Sequence, residues 1–470
     1  MIATALLCIA QWSAAAVDFH NYFENRTLRL EYMFAGDSAR QQIFVSGYAA
    51  SKEWAGRRVN LDTLLLKGTA DLTMRSLKDG KVIFRTSFSS HFQEWVGTKR
   101  AVSLPMAYEH IILVPMPRQE VEITVRLFDF RERPCATLTH RFNPKDILVR
   151  ETQPIAGKES RYIFRNGDSK DHIDIAILSE GYTKQELPQF FKDAERLTDI
   201  LFSYEPFKAN KQRFNVVAVA QASPQSGVSE PGKGQWRNTN LGAFFDFEDT
   251  ERLLGLTNLF RTGDVLADIP WEHLIVLANT ATYGGAGVYN SYEITAAKND
   301  FAPEVLVHEF GHSFGGLGDE YFYDDQYTQY YYPDREPWNP NLTTLHSFFA
   351  SKSKNTAAKN KNATVEGKNA AAKNGSSAPE SQTQDSSLWG EKKWADMLKK
   401  PVHIPTTLHD AQGEQDTETL GLYEGGGYQS KGVYRPAYNC RMRTNAVPRF
   451  CPVCRRALQK MIDYQLMPME

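Results

Sequence analysis

The chain is predicted to fold as two domains, an N-terminal all-β sandwich followed by a C-terminal α/β domain. Three observations predict it. The 470 residues exceed what one core usually serves. Residues 17–150 carry short runs of alternating polar and apolar residues broken by Gly, Pro and polar turns. Beyond residue 150 the pattern changes to apolar strands alternating with helical spacing.

Residues 2–10 (IATALLCIA) are apolar but too few to span a bilayer. Ala14 and Ala16 fit a small-x-small cleavage site, so residues 1–16 are expected to be a signal peptide, although no Lys or Arg precedes the apolar run. Leu7 stands before Cys8 where a lipidated cysteine has a small residue. The expected location is therefore secreted, periplasmic or at the cell surface. No second long apolar stretch follows, and a net charge of −2 gives no footprint for nucleic acid or anionic lipid.

Within 17–150 the expected strands are Thr27–Met33, Gln42–Ser46, Asp71–Arg75, Lys81–Phe88, His110–Leu113 and Glu120–Phe128, spaced as in an antiparallel sandwich. No titratable cluster stands out among them, so a binding or spacer role is expected. Within 151–470, DIAILSEGY (174–182), RFNVVAVAQAS (213–223) and HLIVLANTA (273–281) read as buried strands. LPQFFKDAERLTDILF (187–202) reads as a helix with Phe190, Phe191, Ala194, Leu197 and Ile200 on one side. Residues 351–387 are rich in Ala, Lys, Asn and Ser and lack aromatic residues, which predicts a solvated insertion.

The chemistry concentrates in EVLVHEFGHSFGGLGDEY (304–321). His308 and His312 stand four apart, one turn of a helix, so both imidazoles reach one metal ion. Glu309 adjoins the first histidine, where a carboxylate reaches a metal-bound water and serves as general base. Gly315 and Gly316 end the helix, and Asp319 and Glu320 follow with oxygen ligands. Three protein ligands and one open position form the catalytic zinc pattern. A pair of ordinary helix histidines beside an acidic turn is the alternative.

HEFGHSFGGLGDEY resembles the metzincin motif HExxHxxGxxH or HExxHxxGxxD. More narrowly, the chain is similar to the bacterial peptidase family M64, the IgA peptidase family. The similarity runs through SEGYTKQEL, FNVVAV, GLYEGGGYQSKGVYRPAYNCRMR and FCPVC, and covers most of residues 17–470. It implies a zincin-type catalytic domain over 151–470 and an accessory domain over 17–150. The third ligand should fall six residues after His312, on Gly318; if the turn pivots on Gly316 instead of Gly315, it falls on Asp319, with Glu320 as rival. The resemblance also implies that Met442, in NCRMR, lies beneath the two histidines without ligating. TYGGAGVYNS (282–291) resembles the rim strand along which an extended substrate aligns, a simple glycine loop being the equal alternative. Tyr428, Tyr434 and Tyr438 are candidate donors to an oxyanion, each also suited to plain packing.

Cys440, Cys451 and Cys454 fall within fifteen residues. Export favours a disulfide from Cys440 to Cys451 or Cys454. A structural zinc is the alternative, for which the sequence shows no fourth ligand nearby. Together these features predict a zinc endopeptidase with one catalytic Zn2+ held by His308, His312 and Asp319, acting on extended protein or peptide substrates. A zinc amidase acting on peptidoglycan or small peptides needs the same metal and base. A non-catalytic secreted binding protein with a structural zinc is the further alternative, and it leaves Glu309 without a task.

Overall fold

The computed structural model describes residues 16–324, 328–345, 382–384, 393–398 and 402–469. The expected signal peptide and nearly all of the insertion lie outside the described residues. Of the insertion, only Gln382–Gln384 is described, as a short strand antiparallel to Val402–Ile404.

Eight strands build the N-terminal part: β1 (Phe23–Gly36), β2 (Gln41–Ser51), β3 (Ala70–Ser76), β4 (Val82–Phe88), β5 (Met106–Pro117), β6 (Val121–Phe128), β7 (Pro134–Phe142) and β8 (Val149–Glu151). They form two four-stranded sheets, ordered β5-β1-β2-β8 and β4-β3-β6-β7. All pairings are antiparallel except β2 with β8. Alternation explains the packing. Leu28, Leu30, Tyr32 and Phe34 of β1 meet Leu72 and Met74 of β3 and Ile123, Val125 and Leu127 of β6 in one buried cluster. Burying each such side chain stabilises the fold by about 1.5–3 kcal/mol.

The C-terminal part is centred on a six-stranded sheet of β9 (Glu159–Arg165), β10 (Ile173–Glu180), β11 (Phe214–Ala220), β12 (His273–Ala278), β13 (Gly285–Val288) and β14 (Tyr292–Ala296). The order is β13-β14-β12-β10-β11-β9. The inner four strands run parallel, and the edge strands β13 and β9 run antiparallel to their neighbours. Strands β10, β11 and β12 are buried throughout because both faces are covered. On one face, Ile175, Ile177, Val216 and Leu277 pack with helices Leu187–Leu201, Ala302–Gly315 and Pro452–Leu466. On the other, Ala176, Leu178, Val217 and Val276 pack under Leu241, Phe245, Leu254 and Leu266, with Ile111 and Leu113 of β5 against their edge.

In the helix Leu187–Leu201 the inward face ends on Leu201, with Ile200 only partly buried, because one further residue completes the 3.6-residue turn. The two parts dock directly. Ser89 N–H donates to Tyr289 O at 2.9 Å. Asn60 Nδ2 donates to the carbonyls of Tyr464 and Met467, each at 2.7 Å.

Candidate active site

Helix Ala302–Gly315 begins with Pro303 in its first turn and stops at Gly316, which adopts φ +59°. Gly316 N–H donates to His312 O and Leu317 N–H to Gly311 O, closing the last turn and reversing the chain. Gly315 remains helical, so the pivot is Gly316. Phe310 and Phe314 stack on the buried side with ring centroids 5.1 Å apart, and Phe207 packs edge-on to both. That anchoring turns His308, Glu309 and His312 towards the cleft.

The reversal carries Asp319 back over the histidines. Its Oδ1 lies 3.0 Å from His308 Nε2 and 3.2 Å from His312 Nε2, and the two Nε2 atoms are 3.0 Å apart. Both outer ring nitrogens face carbonyls: His308 Nδ1 donates to Arg441 O at 2.9 Å and His312 Nδ1 to Leu317 O at 2.6 Å. A carbonyl only accepts, so each Nδ1 carries the hydrogen and each Nε2 presents a lone pair. Two imidazole nitrogens and a carboxylate oxygen thus converge on one point, where either a metal ion or a shared proton can sit between them. Ligands about 2.0–2.2 Å from a tetrahedral zinc stand about 3.3 Å from each other, close to all three separations. The donor set therefore fits zinc.

The electrostatics agree. Burial opposes charge on His312, yet Asp319 raises its pKa to about 9. Burial likewise opposes charge on Asp319, but His312 and His308 hold its carboxyl well below the usual range. The trio is built to enclose one positive charge. Glu309 is raised above the ordinary carboxylate range by burial, with His308 and His312 pulling it back.

Glu320 turns the opposite way. Its Oε1 accepts from Asn341 Nδ2 at 2.9 Å and from Cys454 Sγ at 3.2 Å. The structure thus brings His308, His312 and Asp319 together and takes Glu320 out of the group. Two asparagines clamp this loop: Asn339 Nδ2 donates to Gly316 O, and Asn341 bonds both the N–H and the carbonyl of Gly318. Nothing in the spacing of EPWNPN signals that role.

Met442 is fully buried against the underside of the helix; a Cβ built on Gly311 would stand 2.6 Å from its Sδ. Its carbonyl accepts from Glu320 N–H at 2.8 Å, and the preceding carbonyl, Arg441 O, holds His308. Tyr428 donates its hydroxyl to Asp319 Oδ2. Tyr434 points to Glu424 at 3.5 Å, and Tyr438 lies beneath the guanidinium of Arg443. Of the three tyrosines, only Tyr428 touches the converging trio, and it does so through Asp319.

Strand β13 lies directly on the helix. A Cβ on Gly287 would meet Glu309 O at 2.3 Å, so only glycine permits that approach. The sheet edge here faces a cavity of about 540 Å3 that also holds His308, Glu309 and His312. Leu253 bridges to Gly285 at one end of the strand, and Ser89 bonds Tyr289 just past the other.

Residues 17–150 contribute two titratable side chains to a group that the other part completes. His91 and Glu94, from the N-terminal part, meet Glu248 in this cavity, with all three ligand-capable atoms within 4.8 Å of one another. Burial pushes the Glu94 carboxyl up to about 7, with Glu248 adding to the shift. The grouping spans more than 150 positions of sequence, so no local pattern announced it.

The expected disulfide is also corrected. Cys440, Cys451 and Cys454 are all free thiols, with Cys440 Sγ and Cys454 Sγ 3.7 Å apart, far beyond an S–S bond of about 2.05 Å.

Two family models match the chain: the one described as IgA Peptidase M64 over residues 162–462, and the one described as Peptidase M64 N-terminus over residues 18–139. No curated protein matches it.

Proposed function

The chain belongs to the IgA peptidase M64 family, and from that premise we propose that it is a secreted, zinc-dependent endopeptidase using Glu309 as general base. The supporting observation is the convergence of two Nε2 lone pairs and Asp319 Oδ1 beside Glu309 in an open cleft. We assign His308, His312 and Asp319 as the ligands. The C-terminal part is read as a metzincin-like zincin domain spanning 151–470, the sandwich as an accessory domain spanning 17–150, and residues 1–16 as the export signal.

Zinc bound there supplies Lewis acidity, acidifying a water and polarising a peptide carbonyl. The chain's residues do the rest. The Arg441 and Leu317 carbonyls fix both imidazole tautomers. Tyr428 fixes the Asp319 carboxylate. Glu309, its carboxyl raised by burial, accepts a proton from the attacking water and delivers it to the departing amine. The β13 edge offers main-chain pairing to an extended peptide.

The cavity is walled by the accessory part, and this one observation favours a second reading, an amidase taking short peptides. Purified protein assayed against unfolded casein and against short capped peptides, with and without chelator, separates the two. Chelator-sensitive casein cleavage that Glu309→Gln abolishes while zinc is retained supports the endopeptidase. Cleavage of short peptides alone moves the assignment to the amidase. Full turnover by the Glu309→Gln variant removes Glu309 from its role.

A further inference from the structure

The loop after the histidine helix carries two adjacent carboxylates that part. Asp319 joins the histidines, and Glu320 enters a second cluster formed by Cys440, Cys451 and Cys454. Glu320 and the three cysteines are each 0 % exposed. Their four ligand-capable atoms lie within 4.8 Å of one another.

Three features of this cluster point to a metal. First, Cys440 Sγ and Cys454 Sγ are 3.7 Å apart. Two thiolates about 2.3 Å from one tetrahedral zinc stand about 3.8 Å apart. Second, Glu320 Oε2 is buried with no hydrogen-bond partner, which leaves a carboxyl oxygen free to ligate. Its Oε1 already lies 3.2 Å from Cys454 Sγ. Third, a helix N-terminus faces the sulfurs. Cys451 occupies the N-cap position of the fifteen-residue helix Pro452–Leu466, Cys454 lies in its first turn, and Cys451 N–H donates to Cys440 Sγ at 3.2 Å.

We propose that Glu320, Cys440, Cys451 and Cys454 form a closed, four-ligand structural zinc site, distinct from the histidine site. All four positions are filled by protein and the cluster has no exposed atom, so it has no room for substrate. Its role is mechanical. Glu320 N–H donates to Met442 O, and Arg441 O holds His308, so one ion ties the loop bearing Asp319 to the turn that orients the histidines. The fourth ligand escaped the sequence because Glu320 precedes Cys440 by 120 residues.

The test uses the full chain carrying His308→Ala and His312→Ala, which removes the histidine site and needs no activity readout. It is purified without reductant. Metal content, zinc-edge X-ray absorption and intact mass under denaturing, non-reducing conditions are then measured. The expected result is about one zinc per chain, three sulfur neighbours at about 2.3 Å, and the mass of the fully reduced polypeptide. Adding Glu320→Gln should weaken zinc binding at least about 10-fold by chelator competition, with the far-UV spectrum unchanged. A mass lower by two hydrogens would restore the disulfide and overturn the proposal. So would a folded, fully reduced chain that takes up no zinc. Unchanged affinity in the Glu320→Gln chain overturns the four-ligand assignment.

Discussion

Replacing Tyr428 by Phe removes a single oxygen atom from the surroundings of the histidine site. The hydroxyl donates to Asp319 Oδ2, while Oδ1 faces both histidines. Without it, Oδ2 stays buried and loses its donor, and the carboxylate is free to rotate. A hydrogen bond to a charged group contributes about 1.5–3 kcal/mol. At about 1.4 kcal/mol per factor of ten, zinc affinity should fall roughly 10- to 100-fold. The packing should be preserved. Tyr321 and Tyr330 both hold the Tyr428 ring with centroids 5.4 Å away, and Phe fills the same space. Tyr428 also has a left-handed backbone, φ +65°, a strain both residues bear equally, so the comparison isolates the hydroxyl. Competition against a chromophoric chelator gives the affinity, and peptide cleavage at saturating zinc gives kcat. The expectation is weaker zinc binding with kcat within a few-fold of the parent at saturation. Unchanged affinity would refute the reasoning. A lost kcat at unchanged affinity would return Tyr428 to the role of oxyanion donor.

Gly287→Ala should lower stability by about 1–3 kcal/mol and activity with it, because the new Cβ falls 2.3 Å from Glu309 O; thermal melts that match the parent would contradict the contact. Met442→Leu should cost less than about 1.5 kcal/mol and leave the zinc stoichiometry unchanged, since the thioether packs below the helix; loss of metal would make it a ligand. His110 is buried between Phe34 and Phe88, and burial lowers its pKa to about 3. The unfolded chain takes up this proton first as pH falls, so the contribution is intact above about 6.5 and is lost progressively as pH drops towards 3. Between pH 6.5 and 5 it amounts to about 2 kcal/mol, and His110→Phe should flatten that part of the urea-denaturation profile; an unchanged slope would place the acid sensitivity elsewhere.

Much of the fold was legible in the sequence because strand and helix periodicity are local. The three central strands of the C-terminal sheet appear as continuous apolar runs since both faces are covered. His308 and His312 declare a shared target because a helix turn separates them. Asp319 was reachable only through the pivot at Gly316, a backbone reversal that spacing alone leaves open. The clamp by Asn339 and Asn341 had no local signal at all.

By itself, then, the sequence determined the two-part architecture, the helix that carries the histidines, and the carboxylate beside them. Those depend on 2- and 3.6-residue periods that any stretch of chain expresses without its neighbours. Only the tertiary structure decided that Asp319 and Glu320 face opposite ways, that Tyr428 serves Asp319, and that three cysteines meet a distant glutamate. It also decided that the N-terminal sandwich supplies His91 and Glu94 to the cleft wall. Such contacts form where buried polar groups must find partners across the core, and those partners are set by packing rather than by position along the chain.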